Sequence, residues 1–350
     1  MQVEDVKTNE RSRTSEIVDL SVDEINDSEL YSSAPVKKAP RFFNLEGGDL
    51  VVREVKRMLT SDFPPLYGNR VHDSTISLLK YEDDSILGEV KRHVKYGEDS
   101  IVVKGESLSP EQWDALLTPD TWLSSDHINA YLSLLMSTHD HIHAFPTYLY
   151  TKLSFKYDYA SVQRWTKKTC IFGKSIVFVP VNVTENHWLL VVIWIKSERR
   201  ERIEIWDSMG GEEYKREIGD VLKKYLMDEY ARYMEDCERR KIEVKNEIEN
   251  EIENWPVIVK FDIQTPHEKQ TDGSSCGVLV CLFAKALAEG YKENDIIDIA
   301  LQSESATKYR KVIAVELWED YKRKTLQEHE SSKEEGEDTV MISEGQLQGE

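Results

Sequence analysis

The feature that most constrains this chain is a polar loop that runs directly into an almost wholly apolar segment. The loop spans residues 270–275, Cys276 and Gly277 follow it, and nearly all residues from 278 to 288 are apolar, before Gly290. Apolar side chains around a helix's whole circumference indicate burial, so the pattern predicts a core helix that ends at Gly290. Cys276 then lies on the first turn of that helix.

A cysteine in this position is suited to act as a nucleophile. Ser274 or Ser275 is expected to cap the free amide groups, and Gly277 leaves room beside the sulfur for another backbone to approach. The helix N-terminus also stabilises negative charge and so favours the thiolate. The opposing interpretation is an inert apolar residue, which buried cysteines more commonly are. A catalytic role requires a base, an orienting group and oxyanion donors elsewhere in the chain.

Two upstream segments supply a candidate base and a group to orient it. Residues 187–195 are rich in Val, Ile and Trp, and a short polar connection joins them to residues 202–206, which alternate charged with apolar side chains. Such segments are typical of antiparallel strands. A hairpin folded about the middle of the connection places His187 opposite Asp207, at the distance of about 5 Å that separates cross-strand neighbours. The spacing therefore predicts a triad of Cys276, His187 and Asp207.

Several short motifs occur in a fixed order along the chain. They are Trp122-Leu123, Arg164-Trp165, Pro180-Val-Asn182, His187-Trp188, Asp207-Ser208, Gln270 and Cys276-Gly277. In this order they resemble the catalytic domain of the SUMO-specific proteases of the ubiquitin-like-protease (sentrin-specific protease) family. The resemblance covers roughly residues 95–325, about two thirds of the chain. Separated motifs in the right order make a more specific signal than a single short pattern.

The resemblance implies an α+β fold of the papain-like cysteine protease type. In that fold a mostly antiparallel sheet carries His187 and Asp207 beside a central helix that carries Cys276. The family mechanism is acyl transfer through a thioester, and it needs no metal or organic cofactor. The family's oxyanion glutamine precedes the nucleophile by six residues, which is the position of Gln270 in this chain.

The resemblance also identifies candidate substrate-binding residues. In the family, two tryptophans enclose the Gly-Gly tail of the substrate in a narrow tunnel, and they correspond to Trp122 and Trp188. Flat apolar walls admit glycine and exclude residues with side chains. Arg164 is a further candidate for a substrate contact, and Gly277 is expected to line the approach to the nucleophile.

Two departures from the family pattern lie close to these residues. Three positions after Trp122 the family usually has an aspartate that pairs with an arginine of SUMO, whereas this chain has Ser125, with Asp126 one place later. An acid also commonly precedes the catalytic cysteine, where this chain has Ser275, with Asp272 nearby. The first departure leaves the choice of ubiquitin-like substrate open.

Composition excludes several classes of protein. The chain has 350 residues, of which 40% are hydrophobic, enough for a sizeable core. Its four cysteines form no CxxC pair or zinc spacing and nothing resembles a signal peptide, so a reducing compartment is expected. A net charge of -20 argues against binding nucleic acid, and the longest apolar run is too short for membrane insertion. We expect a protein partner, SUMO or a SUMO-conjugated protein, and a monomer by default.

Changes in composition along the chain predict its organisation. Residues 1–48 are expected to be a disordered acidic tail, residues 49–98 a partly ordered extension and residues 99–325 the catalytic domain. Within that domain, residues 228–253 are dense in charge and are expected to form a solvated helical excursion. Residues 326–350 are expected to be a second disordered acidic tail.

One short island in the N-terminal tail has its own interpretation. Ile17, Val18, Asp19 and Leu20 have acidic neighbours and resemble a SUMO-interacting motif, which adds a strand to the edge of SUMO's sheet. The alternative is an ordinary stretch of tail, since such tetrapeptides are common by chance.

These features together predict a protease that removes SUMO from lysines of target proteins and trims the SUMO precursor after Gly-Gly. Two alternatives remain open. One is the same chemistry on the cullin-modifying ubiquitin-like protein or on ubiquitin, which the Ser125 departure favours, and the other is an inactive SUMO-binding scaffold. The resemblance implies a nuclear or nuclear-rim location, with the cytoplasm as an alternative.

Overall fold

The computed structural model describes most of the chain beyond residue 77. The described residues are 78–80, 84–195, 201–211, 213–242, 244, 248, 252–261, 269–302 and 304–345, with side chains as far as Glu328. The N-terminal tail, the candidate SUMO-interacting motif at residues 17–20 and most of the predicted extension lie outside them.

Helices make up much of the described chain. They are α1 (Asp84–Tyr96), α2 (Pro110–Leu117), α3 (Ser125–Thr138), α4 (Leu149–Ser154), α5 (Lys215–Arg239), α6 (Cys276–Ala288), α7 (Glu293–Ala300) and α8 (Ser305–Gly345), with short 3-10 helices at Tyr159–Ser161, Ile171–Gly173 and Ile252–Asn254. Helix α2 begins with a capping box, as its Ser-Pro start predicts: the Ser109 side chain accepts from the Gln112 amide, and the Gln112 side chain accepts from the Ser109 amide. Within the described chain, no helix combines the length and the apolar character needed to cross a bilayer.

The strands form one small hairpin and one mixed sheet. The hairpin joins β1 (Ile101–Val103) to β2 (Glu106–Leu108), and the sheet has the order β3 (Ile142–Ala144), β4 (Ile176–Val183), β5 (His187–Trp194), β6 (Arg202–Trp206), β7 (Val257–Lys260). The three central strands are antiparallel, but each edge strand lies parallel to its neighbour. The edge strands are parallel to their neighbours because long connections that contain α4 and α5 return the chain to the same end of the sheet.

Helix α6 runs through the interior, as its apolar circumference predicts. All of its residues except Lys285 are buried, and Gly290 just beyond its end has a φ of 78°, a conformation that favours glycine. Strand β5 is buried on both faces. Val192 packs into the core that contains α6, whereas Val191 packs into a second core beside α5. The sheet thus separates two cores, and α6 lies against the strand that begins at His187.

Helix α1 packs against the C-terminal helix α8 as part of the folded domain. Val90 is fully buried, and Glu89 accepts hydrogen bonds from Trp318 Nε1 and Lys322 Nζ, both at 2.9 Å. The ordered domain therefore begins before residue 99, where the change in composition suggested a boundary. The partner of α1 is more than two hundred positions away, so local sequence does not reveal it.

Two charge-rich segments differ from their predictions. Helix α5 covers the first part of residues 228–253, and Glu229 within it is buried rather than solvated, because Tyr159 and Thr166 donate hydrogen bonds to its carboxylate. Helix α8 continues to Gly345, so most of the predicted disordered tail from residue 326 is helical. Segments rich in Glu and Lys are good helix formers and also typical of disorder, so composition does not decide between the two.

Candidate active site

Cys276 begins helix α6 and is 5% exposed. The loop before it is held by Asp272, whose Oδ1 accepts hydrogen bonds from the Ser274 amide at 2.9 Å and the Ser275 amide at 2.8 Å. Burial raises the pKa of Asp272, but these bonds outweigh it and hold that pKa below its usual range. The expected serine cap is wrong, because Ser275 at the N-cap makes no side-chain capping hydrogen bond and the Ser274 hydroxyl donates to Asp272 instead.

His187 begins strand β5, and Asp207 directly follows strand β6. His187 Nε2 and Asp207 Oδ1 lie 2.7 Å apart and form a hydrogen bond. The same carboxylate oxygen accepts a hydrogen bond from the Met209 amide at 3.0 Å, which holds it in place. The structure thus brings together the two residues that the sequence proposed as base and orienting group.

The strand register behind this contact differs from the predicted register. A hairpin that pairs His187 with Asp207 would place Glu204 opposite Leu190, whereas Glu204 pairs with Val192. The shift is two residues, and side chains along a strand repeat their direction every two residues. The face on which each side chain lies is therefore unchanged, and the contact survives because the imidazole reaches diagonally to the carboxylate.

The pKa of His187 is set by two opposing effects. Burial lowers the pKa of His187, but the hydrogen bond to Asp207 and the adjacent Cys276 thiol together raise it to about 9. The second ring nitrogen, Nδ1, is buried, and among the described residues the Cys276 thiol is the group beside it. At neutral pH the imidazole is therefore protonated, beside a cysteine at a helix N-terminus.

The other cysteines have less suitable surroundings. Burial raises the pKa of Cys170 to about 11 and raises that of Cys281 still further. Burial also raises the pKa of Cys237. Since the thiolate is the reactive form, these three are poor nucleophiles at neutral pH. Cys276, beside His187, is the thiol best placed for chemistry.

Gln270 is held by the residue that follows the triad carboxylate. Its Oε1 accepts a hydrogen bond from Ser208 Oγ at 2.7 Å, and its backbone amide donates to Ser208 O at 2.9 Å. On the other side, Gln270 Nε2 donates to Asp272 O at 2.7 Å. The amide is therefore oriented with its nitrogen towards the loop that precedes Cys276.

The two candidate tunnel tryptophans are each held by a hydrogen bond from the indole nitrogen. Trp122 is 56% exposed, and its Nε1 donates to Gly273 O in the loop before Cys276 at 2.8 Å. Trp188 is 8% exposed, and its Nε1 donates to Leu123 O at 3.1 Å. Each indole thus bonds to the backbone of a neighbouring segment, which links the Trp122 segment, strand β5 and the nucleophile loop.

Gly277 makes room for side chains rather than for another backbone. A Cβ at this position would lie 3.1 Å from Leu123 Cβ and 3.3 Å from Trp188 Cδ1. The space beside the sulfur that the sequence suggested for an approaching backbone is therefore occupied by the Trp188 ring and Leu123. Glycine is needed here because helix α6 packs closely against these two residues.

The remaining candidate substrate contacts are Ser125 and Asp126, at the start of α3, and Arg164, which follows the 3-10 helix at Tyr159–Ser161. Ser125 is exposed, but the Asp126 carboxylate turns inward and accepts a hydrogen bond from Gln112 Nε2 at 2.7 Å. One residue along a helix is a rotation of about 100°, so Asp126 does not occupy the direction of Ser125. Arg164 is exposed, and the adjacent Trp165 ring lies edge-on to Tyr148, 5.1 Å between centroids.

Sequence reasoning missed the contacts that Asp272, Ser208 and Arg310 make around the site. Ser208 belongs to one of the ordered motifs, which was a usable signal, and Asp272 was noticed only as a nearby acid. Arg310 gave no signal, because the carbonyls that it contacts lie 36 to 195 positions away. Within the described chain, no group of three or more His, Cys, Asp or Glu side chains is arranged to hold a metal ion.

Comparison with known proteins gives one family. Residues 121–325 match the Ulp1 protease family, C-terminal catalytic domain. Human sentrin-specific protease 2 is 31% identical over 170 residues, which are 47% of this chain and 25% of that protein. The sentrin-specific protease of Caenorhabditis elegans is 32% identical over 170 residues, 47% of this chain and 21% of that protein. The matched region thus spans about a quarter of the length of these relatives.

A solved structure shares the fold. The C-terminal Ulp1 protease domain, in complex with Smt3, the yeast ortholog of SUMO, aligns with a TM-score of 0.54 and 22% identity. The alignment covers 69% of this chain and 98% of that domain. The α+β cysteine protease fold predicted from the motifs is confirmed by this likeness.

Proposed function

This chain belongs to the Ulp1 protease family, whose catalytic domain its residues 121–325 match, and we propose that it is a cysteine protease that removes SUMO from lysines of target proteins. The observation that carries the proposal is the hydrogen bond of 2.7 Å between His187 and Asp207, with Cys276 beside the same imidazole. A nucleophile, a base and an orienting carboxylate in this arrangement are the requirements of acyl transfer.

The first step joins the thiolate of Cys276 to the carbonyl carbon of the substrate's terminal glycine. His187 holds the proton at neutral pH, because its pKa is raised to about 9, and gives it to the leaving lysine amine as the carbon–nitrogen bond breaks. Asp207 orients the ring and stabilises its positive form. The product of this step is a thioester on Cys276 and a free lysine.

The second step releases the modifier. His187, now neutral, takes a proton from a water molecule, whose oxygen attacks the thioester carbonyl. The carbon–sulfur bond breaks, the modifier leaves with a free C-terminal carboxylate, and the proton returns the Cys276–His187 pair to its starting state. The same two steps on a peptide bond after Gly-Gly would trim a SUMO precursor.

Two donors are assigned to the oxyanion of each tetrahedral intermediate. One is the Cys276 backbone amide at the start of α6, and the other is the Gln270 side-chain amide, which Ser208 holds by its oxygen. A donor of this kind is typically worth about 3 kcal/mol in the transition state. For this role the Gln270 nitrogen that now donates to Asp272 O must direct an N–H towards the reacting carbonyl.

Trp122 and Trp188 are assigned to the substrate's Gly-Gly tail. Their indoles are fixed by bonds to Gly273 O and Leu123 O, so the walls do not need to be ordered when substrate binds. A narrow space between flat apolar rings admits a backbone without side chains, which accounts for selection of glycine.

The choice of SUMO rests on the relatives. The sentrin-specific proteases and the Ulp1–Smt3 complex are named for this modifier. Arg164, Lys167 and Lys168 are exposed in a chain of net charge -20, and we assign Arg164 to a contact with the modifier. Ser125, where the family has an acid, would contribute a hydroxyl instead of an ion pair. From family membership we also infer a nuclear or nuclear-rim location, which microscopy of a fluorescent fusion would test.

The proposal is tested with electrophile probes built on the C-termini of SUMO, the cullin-modifying protein and ubiquitin. The purified protein is expected to react covalently with the SUMO probe alone, and Cys276→Ala is expected to abolish the reaction. Labelling by another modifier would keep the chemistry and overturn the substrate. Failure of all three probes would overturn the enzyme and favour a SUMO-binding scaffold.

A further inference from the structure

Arg310, on helix α8, is buried in the middle of the molecule at 2% exposure. Its Nη1 donates to Ala115 O at 2.9 Å and to Thr121 Oγ1 at 3.2 Å, and its Nη2 donates to Thr121 O and, at 3.4 Å, to Ser274 O. These acceptors are all neutral oxygens, and no carboxylate in the described part of the chain forms an ion pair with the guanidinium. A buried cation without such a pair carries a desolvation cost that a purely structural residue would not need.

The acceptors belong to the two segments that border the substrate path. Thr121 directly precedes Trp122, and Ser274 lies two residues before Cys276. The Trp122 indole already reaches Gly273 O at 2.8 Å, next to the carbonyl that Arg310 contacts. Adjacent carbonyls of the nucleophile loop are thus held by a tryptophan from one side and an arginine from within, so the separation between Trp122 and Cys276 is fixed by both.

We propose that Arg310 is a positioning residue for the protease reaction: it sets the gap between the Trp122 segment and the Cys276 loop. This rests on the proposed function, since it assumes that Cys276 is the nucleophile and that Trp122 borders the substrate. A lysine at this position would keep the positive charge but could not contact several separate carbonyls with a planar fork.

The test compares Arg310→Lys and Arg310→Met with Tyr309→Phe. Tyr309 is the adjacent buried residue, and its hydroxyl bonds to Tyr131 and to Cys281 O, away from the nucleophile loop. Its loss removes buried hydrogen bonds from the same helix and so controls for general loosening. Two quantities are measured for each variant: the rate of Cys276 alkylation by iodoacetamide at neutral pH, corrected with Cys276→Ala, and kcat and KM on a SUMO conjugate.

For both Arg310→Lys and Arg310→Met we expect kcat/KM to fall by about tenfold, because either substitution removes the bridge between Thr121 and Ser274. Alkylation of Cys276 should stay near the wild-type rate, since iodoacetamide does not need the substrate path. Tyr309→Phe is expected to leave both quantities near those of the wild type.

Two results would overturn the proposal. If Arg310→Lys retains wild-type kcat/KM, the bridge has no positioning role, and this variant decides the matter even where Arg310→Met fails to fold. If Tyr309→Phe loses as much activity as Arg310→Lys, the loss reflects general loosening of helix α8. A wild-type protein that is alkylated at Cys276 but does not cleave the SUMO conjugate would instead refute the proposed function, on which the positioning role depends.

Discussion

At the scale of single residues, the site depends on groups whose protonation or shape is set by one or two contacts. His187 is the main example, because burial and hydrogen bonding act on it in opposite directions. Its pKa, raised above the ordinary value of 6.5 to about 9, belongs to the folded state. The stability gained from protonated His187 is therefore fully present below pH 6.5 and is lost as pH rises through about 9.

The alkaline limit of activity should follow the same group. We expect kcat/KM to fall with a midpoint near pH 9, where His187 loses its proton. Asp207→Asn removes the negative partner but leaves the burial, so the limb should move to lower pH and kcat/KM should drop by about a hundredfold or more. The pH–rate profile measures both. Asp220→Asn, at a carboxylate with 73% exposed side chain, is the matched control and should change neither. If the alkaline fall of kcat/KM keeps its midpoint in Asp207→Asn, a group other than His187 causes that fall.

A second prediction at this scale concerns the packing of Gly277. Gly277→Ala places a methyl group 3.1 Å from Leu123 Cβ and 3.3 Å from Trp188 Cδ1, so the Trp188 ring must shift. We expect kcat/KM on a SUMO conjugate to fall by about tenfold, since small displacements at a reacting centre are costly. Alkylation of Cys276 by iodoacetamide should persist.

The control is Gly88→Ala on the surface of α1, where nothing lies within 4 Å of the added Cβ. Alanine there should leave activity unchanged and raise the free energy of unfolding by about 0.5 kcal/mol, because glycine is costly in a helix. Full activity in Gly277→Ala would show that the tunnel wall tolerates movement of Trp188.

At the scale of helices and strands, local pattern predicted what local physics decides. The apolar circumference of α6, its end at Gly290 and the capping box at Ser109 all follow from residues within a few positions of each other. The predicted register of β5 against β6 is wrong by two residues, because the hydrophobic pattern repeats every two residues and fits either pairing. The triad contact could still be predicted, since a shift of two keeps the face.

Features that depend on distant parts of the chain could not be predicted in this way. Ser274 and Ser275 are both chemically able to cap α6, but the loop conformation turns the Ser274 hydroxyl to Asp272 and leaves Ser275 without a capping hydrogen bond. Asp126 and Ser125 differ by one helical position, so only the packing of α2 shows that Asp126 turns to Gln112. The contacts of Arg310 depend on a fold that packs α8 against the segments that contain Thr121 and Ser274, so the local sequence does not reveal them.

Helix α5 illustrates the same limit and yields a testable difference in stability. Glu229 has a side chain 2% exposed and pairs with Arg232, whereas the Arg216–Asp220 pair on the same helix has side chains 94% and 73% exposed. Glu229→Ala leaves the Tyr159 and Thr166 hydroxyls without their acceptor and leaves Arg232 with only the half-buried Asp236 as a carboxylate partner. We expect a loss of about 3 kcal/mol in the free energy of unfolding.

Arg216→Ala should change the free energy of unfolding by less than about 0.5 kcal/mol, because solvent screens an exposed pair. Urea unfolding followed by circular dichroism measures both variants. Equal effects of the two substitutions would mean that the charge-dense helix is solvated throughout, as its composition alone suggests.

At the scale of the whole molecule, the segments on either side of the family match are part of one folded unit. Val90 on α1 is fully buried in the core that includes α6 and α8, although it lies before residue 121. We expect Val90→Ala to lower the free energy of unfolding by about 2 kcal/mol and to shift a single cooperative transition to lower temperature.

Calorimetry with Val102→Ala as the matched control tests this coupling. Val102 on β1 is 50% exposed, so the same truncation should have almost no effect on the melting temperature. Two separate transitions, or an unchanged melting temperature in Val90→Ala, would mean that α1 unfolds independently of the domain that carries Cys276.

The contacts of Arg310 also bear on the order in which the site is assembled. They join residues near 115, 121 and 274 through a helix that begins only at Ser305. Synthesis proceeds from the N-terminus, so these residues are made before Arg310. In a growing chain, the Trp122 segment and the Cys276 loop therefore meet without this bridge until helix α8 has been made.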